Sequence, residues 1–264
     1  MSSEPNETPL LRLQRIMLSL RKECSWDSKQ DFASIAPYAI EEAYELVDAI
    51  ERGDMDDVRN ELGDLLFQVI FHACMASEAD LFNFDDIATT IADKMERRHP
   101  HIFGKHIFDK GAPDNRNNNH EWEDMKQAER AAKSQTGLLD DVPRPLPALT
   151  RAVKLQKRAA RVGFDWADAA PIFAKLDEEI AELKAEMSAT PDPQRIKDEL
   201  GDVLFVVANL ARHLGIEPET ALRSTNDKFT RRFQYIESQC DPRAASLEEM
   251  ESLWQKAKEQ EPKT

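Results

Sequence analysis

Residues 61–67 read ELGDLLF, and residues 199–205 read ELGDVLF. In each copy a Glu and an Asp stand three residues apart ahead of an apolar run, so both acids share one face of a helix. The surroundings repeat as well. EEAYEL at 41–46 recurs as EEIAEL at 178–183, and DKMERR at 93–98 as DKFTRR at 227–232. Trp122 and Lys126 recur as Trp254 and Lys258, and Trp26-Asp27 is echoed by Phe164-Asp165. The offsets stay near 132–138. Five matches in order and in register define a tandem duplication.

The surrounding chain reads as helix. Apolar positions recur at helical spacing in 10–22, 37–51, 55–78 and 84–98 of the first copy, and near 147–161, 171–188, 193–214, 218–237 and 246–260 of the second. The polar, Asn-rich stretch 104–120 predicts a mobile loop, followed by a short helix over 121–133. TGLLDDVPRPLPAL at 136–149 carries three prolines and no period, and is expected to be a linker. No strand-period segment stands out. The expectation is an all-α chain of two similar helical units of four-helix-bundle type, 1–135 and 150–264, joined by 136–149. The 8 glycines and 7% aromatics agree with helix over sheet. Gly63 and Gly201, inside predicted helices, predict close helix packing, and LLFQVIF and VLFVVANL predict helices covered on several sides. Trp166 is expected in the core.

The spacing within each copy brings carboxylates together. Glu42 and Glu45 share a helix face, as do Glu61 and Asp64 on the next helix, and Gly53 marks the turn between them. Glu45 and Glu61 each lie eight residues from Gly53, and Glu42 and Asp64 each lie eleven. In an antiparallel hairpin, equal distance from the turn means equal height. The second copy obeys the same rule: Glu182 pairs with Glu199 and Glu179 with Asp202, about a turn at ATPDP. At ~4 Å each pair of carboxylates repels by on the order of 4 kcal/mol at an effective dielectric of 20. Such a cluster is no stability device; it fits cation binding. Its donors are hard oxygens without His or Cys, which favours Mg²⁺ or Mn²⁺ over zinc, and the lack of a Glu-x-x-His pair argues against a di-iron bundle.

Charge narrows the partner. At −15 the chain repels nucleic-acid backbones. A polyanionic ligand then needs a divalent cation between its phosphates and the carboxylates. Cys24, Cys74 and Cys240 form no disulfide framework or metal motif, as in reduced cytoplasmic proteins. The start, MSSEPNETP, is unlike a signal peptide, and no apolar run suits a membrane span. The six histidines predict surface or capping roles.

ExxE followed by ExxD across a helical hairpin, ELGD, ERRHPHIFG at 96–104 and GFDW at 163–166 resemble the MazG nucleotide pyrophosphohydrolases in their tandem-domain form. The resemblance implies an all-α, usually dimeric enzyme that hydrolyses nucleoside triphosphates (NTPs) between the α- and β-phosphates. It implies Mg²⁺ dependence and broad base tolerance, with roles in removing aberrant nucleotides or in stress. By motif position the metal ligands would be Glu179, Glu182, Glu199 and Asp202, and in the first copy Glu42, Glu45, Glu61 and Asp64. Glu178 is a candidate to steer the attacking water. Lys228, Arg231 and Arg232 are candidates for the phosphates, Trp254 for stacking on the base, and Lys258 and Asp198 for the substrate-facing set.

The copies differ in cations. Lys175 stands where the first copy has Tyr38, and Arg195 where it has Asp57. This predicts the C-terminal half as the main catalytic unit. Two other readings stand beside it: a hydrolase of one particular nucleotide, of dUTP/dCTP type or guanosine tetraphosphate, and a non-catalytic helical interaction module.

Overall fold

A computed structural model describes residues 7–103, 137–188 and 191–261. The predicted loop 104–120, the helix 121–133 and the Trp122–Lys126 pair lie outside the described residues. The chain divides into two compact units, Met1–Trp122 and Glu123–Thr264.

Unit 1 contains α1 (Pro9–Glu23), a 3₁₀ turn (Asp27–Lys29), α2 (Phe32–Arg52), α3 (Met55–Glu78), α4 (Phe84–Arg98) and the short α5 (Pro100–Phe103). Unit 2 contains α6 (Ala148–Ala160), α7 (Ala170–Ser188), α8 (Pro193–His213), α9 (Pro218–Gln239) and α10 (Leu247–Gln260). No strand occurs among the described residues. Each unit is built on one antiparallel hairpin, α2–α3 or α7–α8, with α1 or α6 packed on its second helix.

Helix α2 starts at Phe32, ahead of the expected 37. Asp31 and Ser34 form a reciprocal capping box, the Asp31 side chain accepting from Ser34 N at 2.8 Å. That cap starts the helix early enough to carry Pro37 in its second turn. The α2–α3 turn closes on Gly53, whose φ of 73° is left-handed and open to glycine at no cost. Asp54 then caps α3 by accepting from Asp57 N. Arg52 braces the turn through ion pairs to Asp48, Asp54 and Asp57. In unit 2, Asp192 caps α8 at Gln194 N, with Pro193 in the first turn.

The core of unit 1 is Met17, Ile35, Ile70, Phe71, Cys74 and Met75. Phe71 and Met17 are among the largest fully buried side chains of the described residues. The expected linker is in part packed structure: Val142 is buried, and Arg158 binds the Leu138 carbonyl and the Asp141 carboxylate.

One expectation is corrected. A Cβ on Gly63 or Gly201 would meet nothing within 4 Å, so neither glycine serves close packing within its unit. The apolar runs are covered on one side only. Leu62, Leu66 and Val69 of α3 and the matching Leu200, Leu204 and Val207 of α8 are all exposed, a stripe at i, i+4, i+7. The hairpin partner and the third helix occupy one face of each helix and leave the opposite face bare.

Candidate active site

The mirrored spacing works as hairpin geometry requires. In unit 1, carboxylate oxygens of Glu42, Glu45 and Glu61 all lie within 4.8 Å of one another. In unit 2, those of Glu179, Glu199 and Asp202 do so. The electrostatics follow the predicted heights. Burial raises the Glu61 pKa, and Glu45 is the strongest of the acids that raise it further. For Glu42, burial comes first and Asp64 is the strongest acid. For Glu199, burial comes first, then Glu182, Asp202 and Glu179. Glu182 and Asp64 therefore face their clusters while lying outside the tight triads.

Such a concentration of negative charge fits a hard cation. Glu61 Oε2 is buried with no hydrogen-bond partner. Gln68, one turn beyond Asp64, partly offsets the rise at Glu42. Glu179 is 5% exposed, and the cation it meets is Lys175 at 2.7 Å. Lys175 also pairs with Glu178 at 2.8 Å, and the two carboxylates hold its ammonium well above the ordinary lysine pKa. Thus Glu178 and Glu179 are joined by one lysine on one helical face. At the matching turn of unit 1, Tyr38 packs edge-on against Trp26 instead.

The other candidate cations are placed differently. Arg195 is largely exposed and pairs with Glu186 at 2.5 Å, not with the triad. Glu186 is close enough to act on Glu199, so Arg195 sits one residue out from the cluster. Asp198 is exposed and accepts from Gln194 Nε2. Lys228, Arg231 and Arg232 gather around Glu261: Arg232 reaches it at 2.6 Å and Arg231 at 4.0 Å, and all three cations lower its pKa. Trp254 is neither core nor free. Phe229 meets it at 5.2 Å, and the Arg232 guanidinium lies over its ring at 5.3 Å. Lys258, one turn along α10, is exposed. No ion pair among the described residues links this group to the carboxylates.

The histidines hold to structural roles where described. His72 and His99 bond carbonyls of their own helices, Gln68 O and Met95 O, and His99 caps α4. No histidine or cysteine enters a metal-like group among the described residues. All three cysteines are free. Trp166 is exposed, against expectation, because the GFDW segment forms a turn on the surface of unit 2.

Sequence reading missed the network that holds this turn. Arg212 on α8 donates to the Asp165 carboxylate and to Asn209 Oδ1, and His213 Nε2 stands 3.0 Å from Asp165. The signal was present in GFDW, but its partners lie nearly fifty residues away. The Arg212 and His213 bonds depress the Asp165 pKa from 3.8 to about 2. A carboxylate lowered on folding stabilises the fold above its ordinary titration range, and that contribution fades as pH falls towards 2. Asp165→Asn is expected to lower stability by roughly 1–2 kcal/mol at pH 7 and by much less at pH 2. Urea denaturation at both pH values checks this; an equal loss at both would assign the effect to packing.

Fold and site together define an all-α protein in which one acidic helical hairpin is used twice. The model of the MazG nucleotide pyrophosphohydrolase domain matches residues 30–103 and 169–236, one match on each hairpin. The chain belongs to this family. It is 49% identical over 259 residues to the nucleoside triphosphate pyrophosphohydrolase of Escherichia coli K12, covering 95% of this chain and 97% of that protein. It is 39% identical to the nucleoside triphosphate pyrophosphohydrolase/pyrophosphatase MazG of Thermotoga maritima, covering 93% and 94%. Over 56% of the chain it is 40% identical to the nucleoside triphosphate pyrophosphohydrolase of Mycobacterium tuberculosis H37Rv, covering 44% of that protein.

Proposed function

We propose that this chain hydrolyses nucleoside triphosphates to the monophosphate and pyrophosphate, with Mg²⁺, and that unit 2 carries the main activity. The observation behind this reading is the unit 2 triad Glu179–Glu199–Asp202 together with the lysine that ties Glu179 to Glu178. The names of the nearly full-length relatives support the same reaction.

Glu179, Glu182, Glu199 and Asp202 would hold Mg²⁺, or Mn²⁺ in its place; when bound, the ion neutralises phosphate charge and orients the phosphorus. Glu178 would accept a proton from the attacking water. As that water bonds to the α-phosphorus, the bond to the α–β bridging oxygen breaks and pyrophosphate leaves. Lys175 meets the negative charge at the triad. Lys228, Arg231 and Arg232 take phosphate oxygens once Glu261 yields them, since arginine binds phosphate in forked pairs. Trp254 stacks on the base, with Lys258 at its edge, and Arg195 and Asp198 line the approach. In unit 1, Glu42, Glu45, Glu61 and Asp64 form a second cation site of weaker or structural role.

Broad base tolerance is expected, with a place in clearing or limiting nucleotides. The compartment consistent with three free cysteines is the cytoplasm. No described helix is long and apolar enough to cross a membrane. The bare stripe on α3 and α8 supports a homodimer in which a second copy covers it. Leu204→Asp is expected to shift the sedimentation coefficient to that of the monomer. A wild-type protein that already sediments as a monomer would refute the dimer.

The reaction is tested by incubating the chain with each NTP and Mg²⁺ and resolving the products by ³¹P NMR. Monophosphate and pyrophosphate in equal amounts are expected. Orthophosphate alone would mean a different bond is cut. Turnover of a single nucleotide would favour a dedicated hydrolase, and no turnover would favour an interaction module.

A further inference from the structure

The acids of unit 2 form a stripe on each hairpin helix, and each stripe opens with a cation. On α7, Lys175, Glu179, Glu182 and Glu186 fall at i, i+4, i+7 and i+11, one helical face. On α8, Arg195, Glu199 and Asp202 fall at i, i+4 and i+7. Because the helices run antiparallel, the lysine and the arginine stand at opposite ends of the acids. Glu186 is four residues nearer the turn than Glu182, as Arg195 is than Glu199, so the rule that sets Glu182 against Glu199 sets Glu186 against Arg195. The two do meet, Arg195 Nη2 lying 2.5 Å from Glu186 Oε1.

Glu186 is the firm partner. Its side chain is 17% exposed, against 66% for the arginine. It also lies near enough to Glu199 to raise that group's pKa. A fifth acid placed there adds to the repulsion among the other four, so stability does not explain its position. In unit 1 the corresponding positions hold Ala49, which is fully buried, and Asp57, which Arg52 binds. The first unit keeps the four acids without this pair.

The other end of the stripe gives the substrate a direction. In the reaction proposed above, the attacked α-phosphorus lies by Glu178, which shares Lys175 with Glu179. The rest of the phosphate chain then runs along the acids towards the turn. Glu186 stands seven residues beyond Glu179, about 10 Å along α7. A third phosphoryl group narrows that gap, and a diphosphate stops short of it. Arg195 keeps N–H groups to offer, because a guanidinium carries five and its contact with Glu186 runs through Nη2. We propose that Arg195 receives the terminal phosphate and that Glu186 is the positioning residue that aims it, so that unit 2 distinguishes a triphosphate from a diphosphate. This deepens the proposed reaction and rests on it for the direction of the substrate. Glu186 holds an exposed, flexible side chain in place before the ligand arrives, which lowers the entropy lost on binding.

Calorimetry on the full chain with Mg²⁺ tests this without turnover, using an NTP and the matching diphosphate in which the α–β bridge is an imido group. The wild type is expected to bind the triphosphate more tightly. Glu186→Gln and Arg195→Gln are each expected to cut that preference about tenfold, the loss of one charge-assisted contact. The double variant is expected to lose no more than either single one, since the two side chains act as a unit. Glu186→Asp, which keeps the charge, is expected to retain most of the preference. Diphosphate affinity is expected to stay unchanged throughout. In turnover, Glu186→Gln is expected to raise the NTP KM and to leave kcat, because the terminal phosphate is held alike before and during the attack. A wild type without preference, or a preference untouched by both single variants, overturns the inference. Equal weakening of both ligands also overturns it, because a merely structural pair would act that way. A preference that follows these variants while the wild type releases no pyrophosphate overturns the proposed reaction alone.

Discussion

Glu179→Gln is expected to lower kcat/KM for NTP hydrolysis by about 10³-fold or more, on the order of 4 kcal/mol of transition-state stabilisation. The same change in unit 1, Glu42→Gln, is expected to stay within about threefold, an effect under 1 kcal/mol. The difference follows from the surroundings of the two residues. Glu179 is the buried member of its triad and shares Lys175 with Glu178. Glutamine keeps its size but supplies one less charge, so the triad holds a cation poorly and Lys175 moves towards Glu178. Glu42 has Tyr38 where Glu179 has Lys175. The residue a turn before it, Tyr38, is engaged with Trp26, and the nearby Arg52 is committed to three aspartates of the turn. A triphosphate at unit 1 therefore lacks the lysine that unit 2 places at its triad. Pyrophosphate release by paired single variants measures this, and loss of turnover in Glu42→Gln alone would reverse the assignment of the two units.

The second large effect is on stability. Burial and neighbouring acids raise the pKa of Glu42, Glu61 and Glu199 above the ordinary 4.5. A carboxylate raised on folding weakens the fold wherever it must be charged, above its folded value. The penalty vanishes as pH falls through that value towards 4.5. A divalent cation removes the same penalty at neutral pH. Mg²⁺ at a hundred times its dissociation constant is therefore expected to add ~2.7 kcal/mol, roughly 5–10 °C in Tm. The double variant Glu61→Gln/Glu199→Gln is expected to melt higher than the wild type in EDTA and to gain little from Mg²⁺. Differential scanning calorimetry checks both halves. A Mg²⁺ shift that survives the double change would place the ion elsewhere.

Much of this architecture is legible in the chain because helices write their contacts locally. Equal spacing about Gly53 sets Glu45 against Glu61 whatever else surrounds them, and the duplication states the rule twice. The pairings that local spacing does not reveal depend on distant partners. Arg212 turns to Asp165 in the surface turn of unit 2, and Arg232 to Glu261 at the far end of α10. Charge alone says that these arginines seek acids, not which acid lies nearest. Glu186 is the opposite case: it and Arg195 stand equally far from the α7–α8 turn, so the rule that aligns the acids also aligns this pair. Apolar spacing begins the second helix at 37, and the Asp31–Ser34 cap moves its start upstream.

The most direct test of the account is a crystal structure with Mg²⁺ and an NTP analogue in which the α–β bridge is an imido group. Glu179, Glu182, Glu199 and Asp202 are expected to ligate Mg²⁺ on the triphosphate, with Lys175 beside it. Those four side chains directed into separate regions of solvent, with the triphosphate bound elsewhere, would contradict the account.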